Sequence, residues 1–187
     1  ANLAEARAIA ERRFGPAGAE LLRLYGGLDD ATASAAVRQL MGDAMFALSE
    51  RQMLRAAARA GVPAYGYEFA RAAPLYKRQN QGAIHAADLS YFFATLPDSA
   101  YGGGGARPGD YDAVDERVAR EMMGALVAFA RTGDPNARGL PSWPRFTVAN
   151  EAYLEWNDIS RAKRHMRAEA LEALWSQFRP RMEANRP

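Results

Sequence analysis

The chain has 187 residues, 49% of them apolar and 25% charged, the profile of a globular protein able to bury a core. Its 24 basic and 22 acidic residues nearly cancel, and no basic stripe is interleaved with aromatics, so nucleic-acid binding is not expected. Cysteine is absent, which excludes disulfides, thiolate metal sites and a cysteine nucleophile, and no apolar run is long enough for a membrane span.

In chain order, the first elements are helical. Asn2-Leu3-Ala4-Glu5 has the shape of a capping box, and Leu3, Ala6, Ile9 and Ala10 recur on one helical face. Gly15-Pro16 ends that helix, and Ala17 to Tyr25 forms a short second one. Asp29-Asp30 caps a helix from Ala31 towards Leu48, with Val37, Leu40, Met41, Ala44 and Met45 on one side. Ser49-Glu50-Arg51-Gln52 reads as a second capping box, opening a helix that stops at Gly61.

The period then changes. Val62 to Phe69 is short and aromatic-rich after a glycine turn, which predicts a strand. An irregular stretch runs from Arg71 to about Asp112 and holds the flexible Gly102-Gly103-Gly104-Gly105 run. Val118, Met122, Ala125, Leu126 and Phe129 mark another amphipathic helix, with Gly133 just past its end and a turn at Asp134-Pro135-Asn136. A strand over Ala152 to Trp156 and a last helix from about Ser160 to Phe178, with Leu171, Leu174, Trp175 and Phe178 inward, complete the chain. No internal repeat and no domain linker interrupt it. Two strands so far apart cannot make a stable sheet alone. The pattern fits a piece of a larger fold, or an α-rich domain in which one strand is misread.

Few residues offer chemistry. His165 reads as a solvated position on the last helix. His85 instead lies in the irregular stretch beyond the 62–69 strand, where α/β folds place catalytic groups, although a structural histidine also fits. Metal binding is not expected, because one histidine with Asp88 three residues on is too few ligands for zinc. The glycine run is no phosphate cradle, since no strand precedes it and no Gly-Lys-Ser/Thr follows. Gly-x-Ser-x-Gly surrounds none of the serines. Asp43, inside an apolar helix, reads as a hydrogen-bonded structural acid.

Gly82-Ala83-Ile84-His85-Ala86-Ala87-Asp88-Leu89-Ser90-Tyr91-Phe92-Phe93 resembles the catalytic-histidine motif of the type-B carboxylesterases and cholinesterases, which typically reads Gly-x-x-His-Gly-x-Glu-Leu before an aromatic pair. Thr132-Gly133-Asp134-Pro135-Asn136 and Leu140-Pro141-Ser142-Trp143-Pro144 resemble the same family further on. Asp43-Ala44-Met45-Phe46, the Gly61 to Phe69 segment and the closing helix with Trp175 and Phe178 match in order and spacing, so the likeness covers nearly the whole chain.

The resemblance implies an α/β fold: the C-terminal part of an α/β-hydrolase, mostly helical here, with the last parallel strand at 62–69 and an edge strand at 152–156. Residues 1–187 would then be one portion of a single domain whose N-terminal portion, with the nucleophilic serine, the triad acid and any targeting signal, lies outside this chain. His85 maps onto the catalytic histidine, and Asp88 onto the motif glutamate that stands behind it. Ala86 departs from the family's glycine, and Asp88 is one methylene shorter than glutamate. Lys77, Arg78 and Gln81 precede the histidine in a segment that borders the gorge in this family, which would favour an acidic or polar substrate, although solvated loop charges also fit.

The implied activity is hydrolysis of small-molecule carboxylic esters through an acyl-enzyme, without a cofactor. The implied source is bacterial, with a cytoplasmic and a periplasmic or secreted location equally compatible. The alternative is a non-catalytic, cholinesterase-like binding protein or an inactive fragment.

Overall fold

The computed structural model describes residues 1–96 and 106–184, with side chains described through 179. The glycine run at 102–105 lies outside the described residues. The chain divides into two compact units, one formed by Ala1–Ala56 with His165–Pro187 and the other by Ala57–Arg164.

The first unit is helical. Helix α1 (Leu3–Phe14) opens on the expected capping box: Asn2 accepts from the Glu5 backbone N–H, and Glu5 accepts from that of Asn2. After a single 3-10 turn comes α2 (Gly18–Leu24). A Cβ on Gly18 would stand 2.5 Å from the Ala10 backbone, so glycine here permits the two helices to touch. Helix α3 (Asp30–Gly42) is capped by Asp29, whose carboxylate accepts from both the N–H and hydroxyl of Thr32.

Two expectations fail in the next segment. The chain does not break at Ser49: α3 passes through a π turn (Asp43–Ala47) straight into α4 (Leu48–Arg59). Ser49 therefore caps nothing, and its hydroxyl donates back to the Phe46 carbonyl at 2.8 Å. The extra residue in the π turn also shifts the helix phase. Asp43, at the start of the turn, continues the buried Ala36 and Leu40 face of α3, whereas Met45, expected inside, is 65% exposed.

Helix α8 (Ala168–Ala184) returns Leu171 and Leu174 to this core, with Trp175 and Phe178 partly buried and Phe178 edge-on to Phe14. The core is aliphatic and alanine-rich, built on Ala6, Ala10, Leu21, Leu22, Val37 and Leu40.

The second unit holds the sheet. Strand β1 (Gly66–Phe69) pairs in parallel with β2 (Ala152–Trp156), and β2 pairs antiparallel with β3 (Arg161–Arg164). Strand β3 is a correction: the sequence reads as helix from Ser160, yet residues 161–164 are extended and α8 starts only at Ala168. A strand with three basic residues out of four, Lys163 among them paired to Glu155 at 2.5 Å, takes the edge place beside β2. His165 is accordingly not helical; it sits exposed at the bend after β3, with φ +54°.

Among the described residues, the stretch from Arg71 to Asp112 also holds two short helices not expected from the sequence, α5 (Pro74–Arg78) and α6 (Leu89–Phe92). Helix α7 (Ala113–Thr132) starts from a capping box of Asp112 with Asp115 and ends at Gly133. Gly133 takes the left-handed conformation, φ +76°, and donates its N–H to Phe129, closing the helix as expected. Against the sheet lies an aromatic core of Tyr91, Trp143 and Trp156 with Val118, Met122 and Leu154.

Candidate active site

Strand β1 ends in a rung from the Ala70 N–H to the Trp156 carbonyl, 2.9 Å, and the chain then leaves the sheet. His85 stands on the turn before α6, in an exposed position where a reacting group has access to it. The sequence placed it beyond the strand, and the structure agrees.

Asp88, three residues on, occupies the N-terminal position of α6 but does not cap it with its side chain. Its carboxylate instead accepts the Tyr67 hydroxyl at 2.7 Å. Tyr67 comes from β1, so this bond ties the histidine turn to the sheet. The ring of Tyr67 lies edge-on to Phe92 at 5.4 Å and to Trp143 at 5.9 Å, which fixes its direction.

The residue between them explains a departure noted in the sequence. Ala86 has φ +63°, the left-handed region that glycine enters without penalty. An alanine there carries strain of about 1–2 kcal/mol. The neighbouring Ser90 hydroxyl donates to the Ala87 carbonyl at 2.9 Å and closes the turn from below.

The two later segments singled out in the sequence meet each other. Asn136 accepts from the Trp143 N–H at 2.8 Å and donates to the Trp143 carbonyl at 2.9 Å. The Trp143 indole N–H then donates to the Gly66 carbonyl at 2.8 Å. Asn136 thus holds Trp143, and Trp143 holds the first residue of β1.

A buried ionic cluster lies where β1 ends, and sequence reasoning missed it. Arg71 is 1% exposed and donates through Nε to Asp115 at 2.6 Å, through Nη2 to Asp112 at 2.8 Å and through Nη1 to Asp158 at 2.5 Å. Asp115 is fully buried and also accepts the Tyr91 hydroxyl at 2.7 Å. The bond to Asp115 raises the Arg71 pKa against the opposing effect of burial. Burial first, and then the bond to Asp115, raises that of the Tyr91 phenol, which stays neutral. For Asp112, burial favours the neutral form, but the Asp115 N–H and the Arg71 guanidinium outweigh it and hold the carboxyl below its usual range. The Asp112-x-x-Asp115 capping box was readable in the sequence; nothing there assigned Arg71 to it.

The basic residues ahead of the motif are engaged. Arg78 donates to the Gly109 carbonyl at 2.7 Å and pairs with Asp110, and Lys77 lies 4.0 Å from Asp158. Arg78 thereby braces the loop at Gly109 and Asp110, while the Lys77 and Asp158 side chains are both more than half exposed. In the first unit Asp43 is the structural acid expected: it accepts from Tyr25, Gln39 and Arg167 at 2.7–3.0 Å.

A model described as the carboxylesterase family matches residues 18–174, a span containing His85 and every segment just described. The chain belongs to the carboxylesterase family. It is 32% identical over 152 residues to carboxylesterase 3 of Pongo abelii, covering 78% of this chain and 26% of that protein. A bacterial relative, fumonisin B1 esterase of Sphingopyxis macrogoltabida, is 32% identical over 147 residues, covering 79% of this chain and 27% of that one. Among solved structures, Geobacillus stearothermophilus carboxylesterase EST55 aligns with TM-score 0.67 and 28% identity, over 89% of this chain and 34% of that chain.

The fold is of the α/β-hydrolase class, mostly helical here with a small mixed sheet. This carboxylesterase chain spans about a quarter of the length of the curated relatives and about a third of the solved one.

Proposed function

We propose that this chain is the histidine-bearing part of a serine carboxylesterase that hydrolyses small-molecule carboxylic esters. The observation that carries the reading is the exposed His85 on the turn beyond β1, inside the span matched to the carboxylesterase family. In this reading the nucleophilic serine and the triad acid lie in an N-terminal portion of the same enzyme, outside residues 1–187. The side of β1 away from β2 carries no strand among the described residues, which suits addition of further sheet there.

The chemistry asked of His85 is proton transfer. As the serine oxygen attacks the ester carbonyl, the imidazole takes its proton; as the tetrahedral intermediate collapses, the imidazolium gives that proton to the departing alkoxide. A water molecule then repeats the cycle on the acyl-enzyme and releases the acid, so the net change is ester plus water to acid plus alcohol. No cofactor enters. The tie from Asp88 to Tyr67 holds the turn on which the imidazole is mounted.

The test is His85→Ala in the full-length enzyme, assayed on a p-nitrophenyl ester, beside labelling of the unmodified enzyme by a fluorophosphonate. We expect kcat to fall by about a thousandfold or more, as loss of a triad member does. The fluorophosphonate should label a serine outside residues 1–187. An unchanged kcat removes His85 from the role, and absence of any label points to a binding-only relative.

A further inference from the structure

The segment from Arg71 to Tyr91 leaves the sheet after β1, carries His85, and is gathered at both ends by one carboxylate. Asp115 Oδ1 accepts from Arg71 Nε at 2.6 Å and from the Tyr91 hydroxyl at 2.7 Å. Asp115 Oδ2 accepts from Arg71 Nη2 at 3.0 Å and from the Asp112 backbone N–H at 2.8 Å. All three side chains are buried: Arg71, Tyr91 and Asp115 are each no more than 1% exposed.

We propose that Asp115, acting through the Tyr91 hydroxyl, is a positioning residue for His85. The inference rests on the catalytic reading of His85. Arg71 alone faces the three carboxylates of Asp115, Asp112 and Asp158, so buried Asp115 draws further donors from the Tyr91 hydroxyl and the Asp112 N–H, and the first of these fastens the histidine segment to α7. The Tyr91 ring is held by packing on Phe69 at 4.7 Å and Tyr111 at 6.3 Å, neither of which needs the oxygen.

What the hydroxyl adds is direction. After His85, the chain is tied at Asp88 to Tyr67 of β1 and at Tyr91 to Asp115 of α7. With both ties made, the turn is hydrogen-bonded at two points; without the Tyr91 hydroxyl, only the Asp88 tie and the ring packing hold it. A small rotation there moves the imidazole away from its proton donor and acceptor, and displacement of about 1 Å costs on the order of a hundredfold in rate.

The experiment compares Tyr91→Phe and Asp115→Asn with His85→Ala in the full-length enzyme, on the same ester. A stability control, Val37→Ala, lies in the other unit, where its side chain is buried in the aliphatic core. For Tyr91→Phe we expect kcat to fall about tenfold with KM within about twofold, and for Asp115→Asn a larger fall, since loss of alignment acts on the transition state and not on binding. Val37→Ala, at an equal or larger loss of Tm, should keep its kcat.

Wild-type kcat in Tyr91→Phe, with His85→Ala inactive, overturns the proposal and leaves the role of His85 intact. An equal loss in Val37→Ala also overturns it, because general softening then explains the effect. Full activity in His85→Ala would remove the underlying reading instead. Should Asp115→Asn fail to fold, Tyr91→Phe decides alone.

Discussion

The two units solve the same problem, a core that encloses a buried carboxylate, by different means. The first packs alanine, leucine and valine between helices, and its close approach at Gly18 depends on the absence of a side chain. The second packs tryptophan and tyrosine against a sheet, and most of its polar handles have named partners: Trp143 with Gly66, Tyr67 with Asp88, Tyr91 with Asp115. An aliphatic core specifies volume; an aromatic core with hydrogen-bonding groups also specifies orientation. The histidine turn is built on the second kind, and the proton transfer proposed for His85 depends on orientation.

The buried carboxylates should separate the units most. Asp43 and Asp115 are both buried, but Arg167, the partner of Asp43, has a side chain 27% exposed, whereas Arg71 is 1% exposed. Removing Asp115 leaves a guanidinium and a phenol without their central acceptor in a dry site. We expect Asp115→Ala to cost about 3 kcal/mol, the lower end for a broken buried pair, because Asp112 and Asp158 still share Arg71. Asp43→Ala should cost less, about 1–2 kcal/mol, since Arg167 can turn to water. Urea unfolding curves decide the order, and equal losses would erase the contrast.

The two tryptophans of the aromatic core sharpen the point. They lie edge-on at 5.6 Å, yet only Trp143 has a partner for its N–H; that of Trp156 is buried with none among the described residues. Trp143→Phe strands the Gly66 carbonyl at the start of β1 and should cost about 1–3 kcal/mol beyond the lost packing. Trp156→Phe loses packing and at the same time relieves an unsatisfied donor, so the net cost should be smaller. The difference between their midpoints in a thermal melt is the readout.

The smallest effect concerns the turn itself. Ala86→Gly removes left-handed strain but loosens the unfolded chain, leaving a gain of a few tenths to about 1 kcal/mol. A small rise in Tm with unchanged KM is expected; a fall in Tm would mean that the Ala86 methyl packs where the turn needs it.

Much of the helical framework was legible in the sequence because its signals are local. Asn2 with Glu5, Asp29 ahead of α3, and Gly133 behind α7 act within one helical turn, and each stands where the spacing predicts. The failures have local causes too. Ser49-x-x-Gln52 has the shape of a cap, but a helix arriving from α3 leaves no free N–H groups for it to satisfy. Arg161 to Arg164 looks helical next to the pattern of α8, yet pairing with β2 overrides propensity. His85, Asp88 and Tyr91 stand together in the quoted motif, but nothing in the sequence joined Tyr91 to Asp115 or Arg71, since no spacing rule links residues so far apart.

The sequence by itself determined the caps that open α1 and α3, the glycine that ends α7, and that His85 lies beyond a strand. These follow from periodicities and caps that operate over three or four residues. Only the tertiary structure decided that β2 lies between β1 and β3, that Asp88 answers to Tyr67, and that one carboxylate gathers both ends of the histidine segment. Such pairings depend on which buried polar groups meet once water is expelled, and burial makes each of them satisfy its partner or forfeit stability.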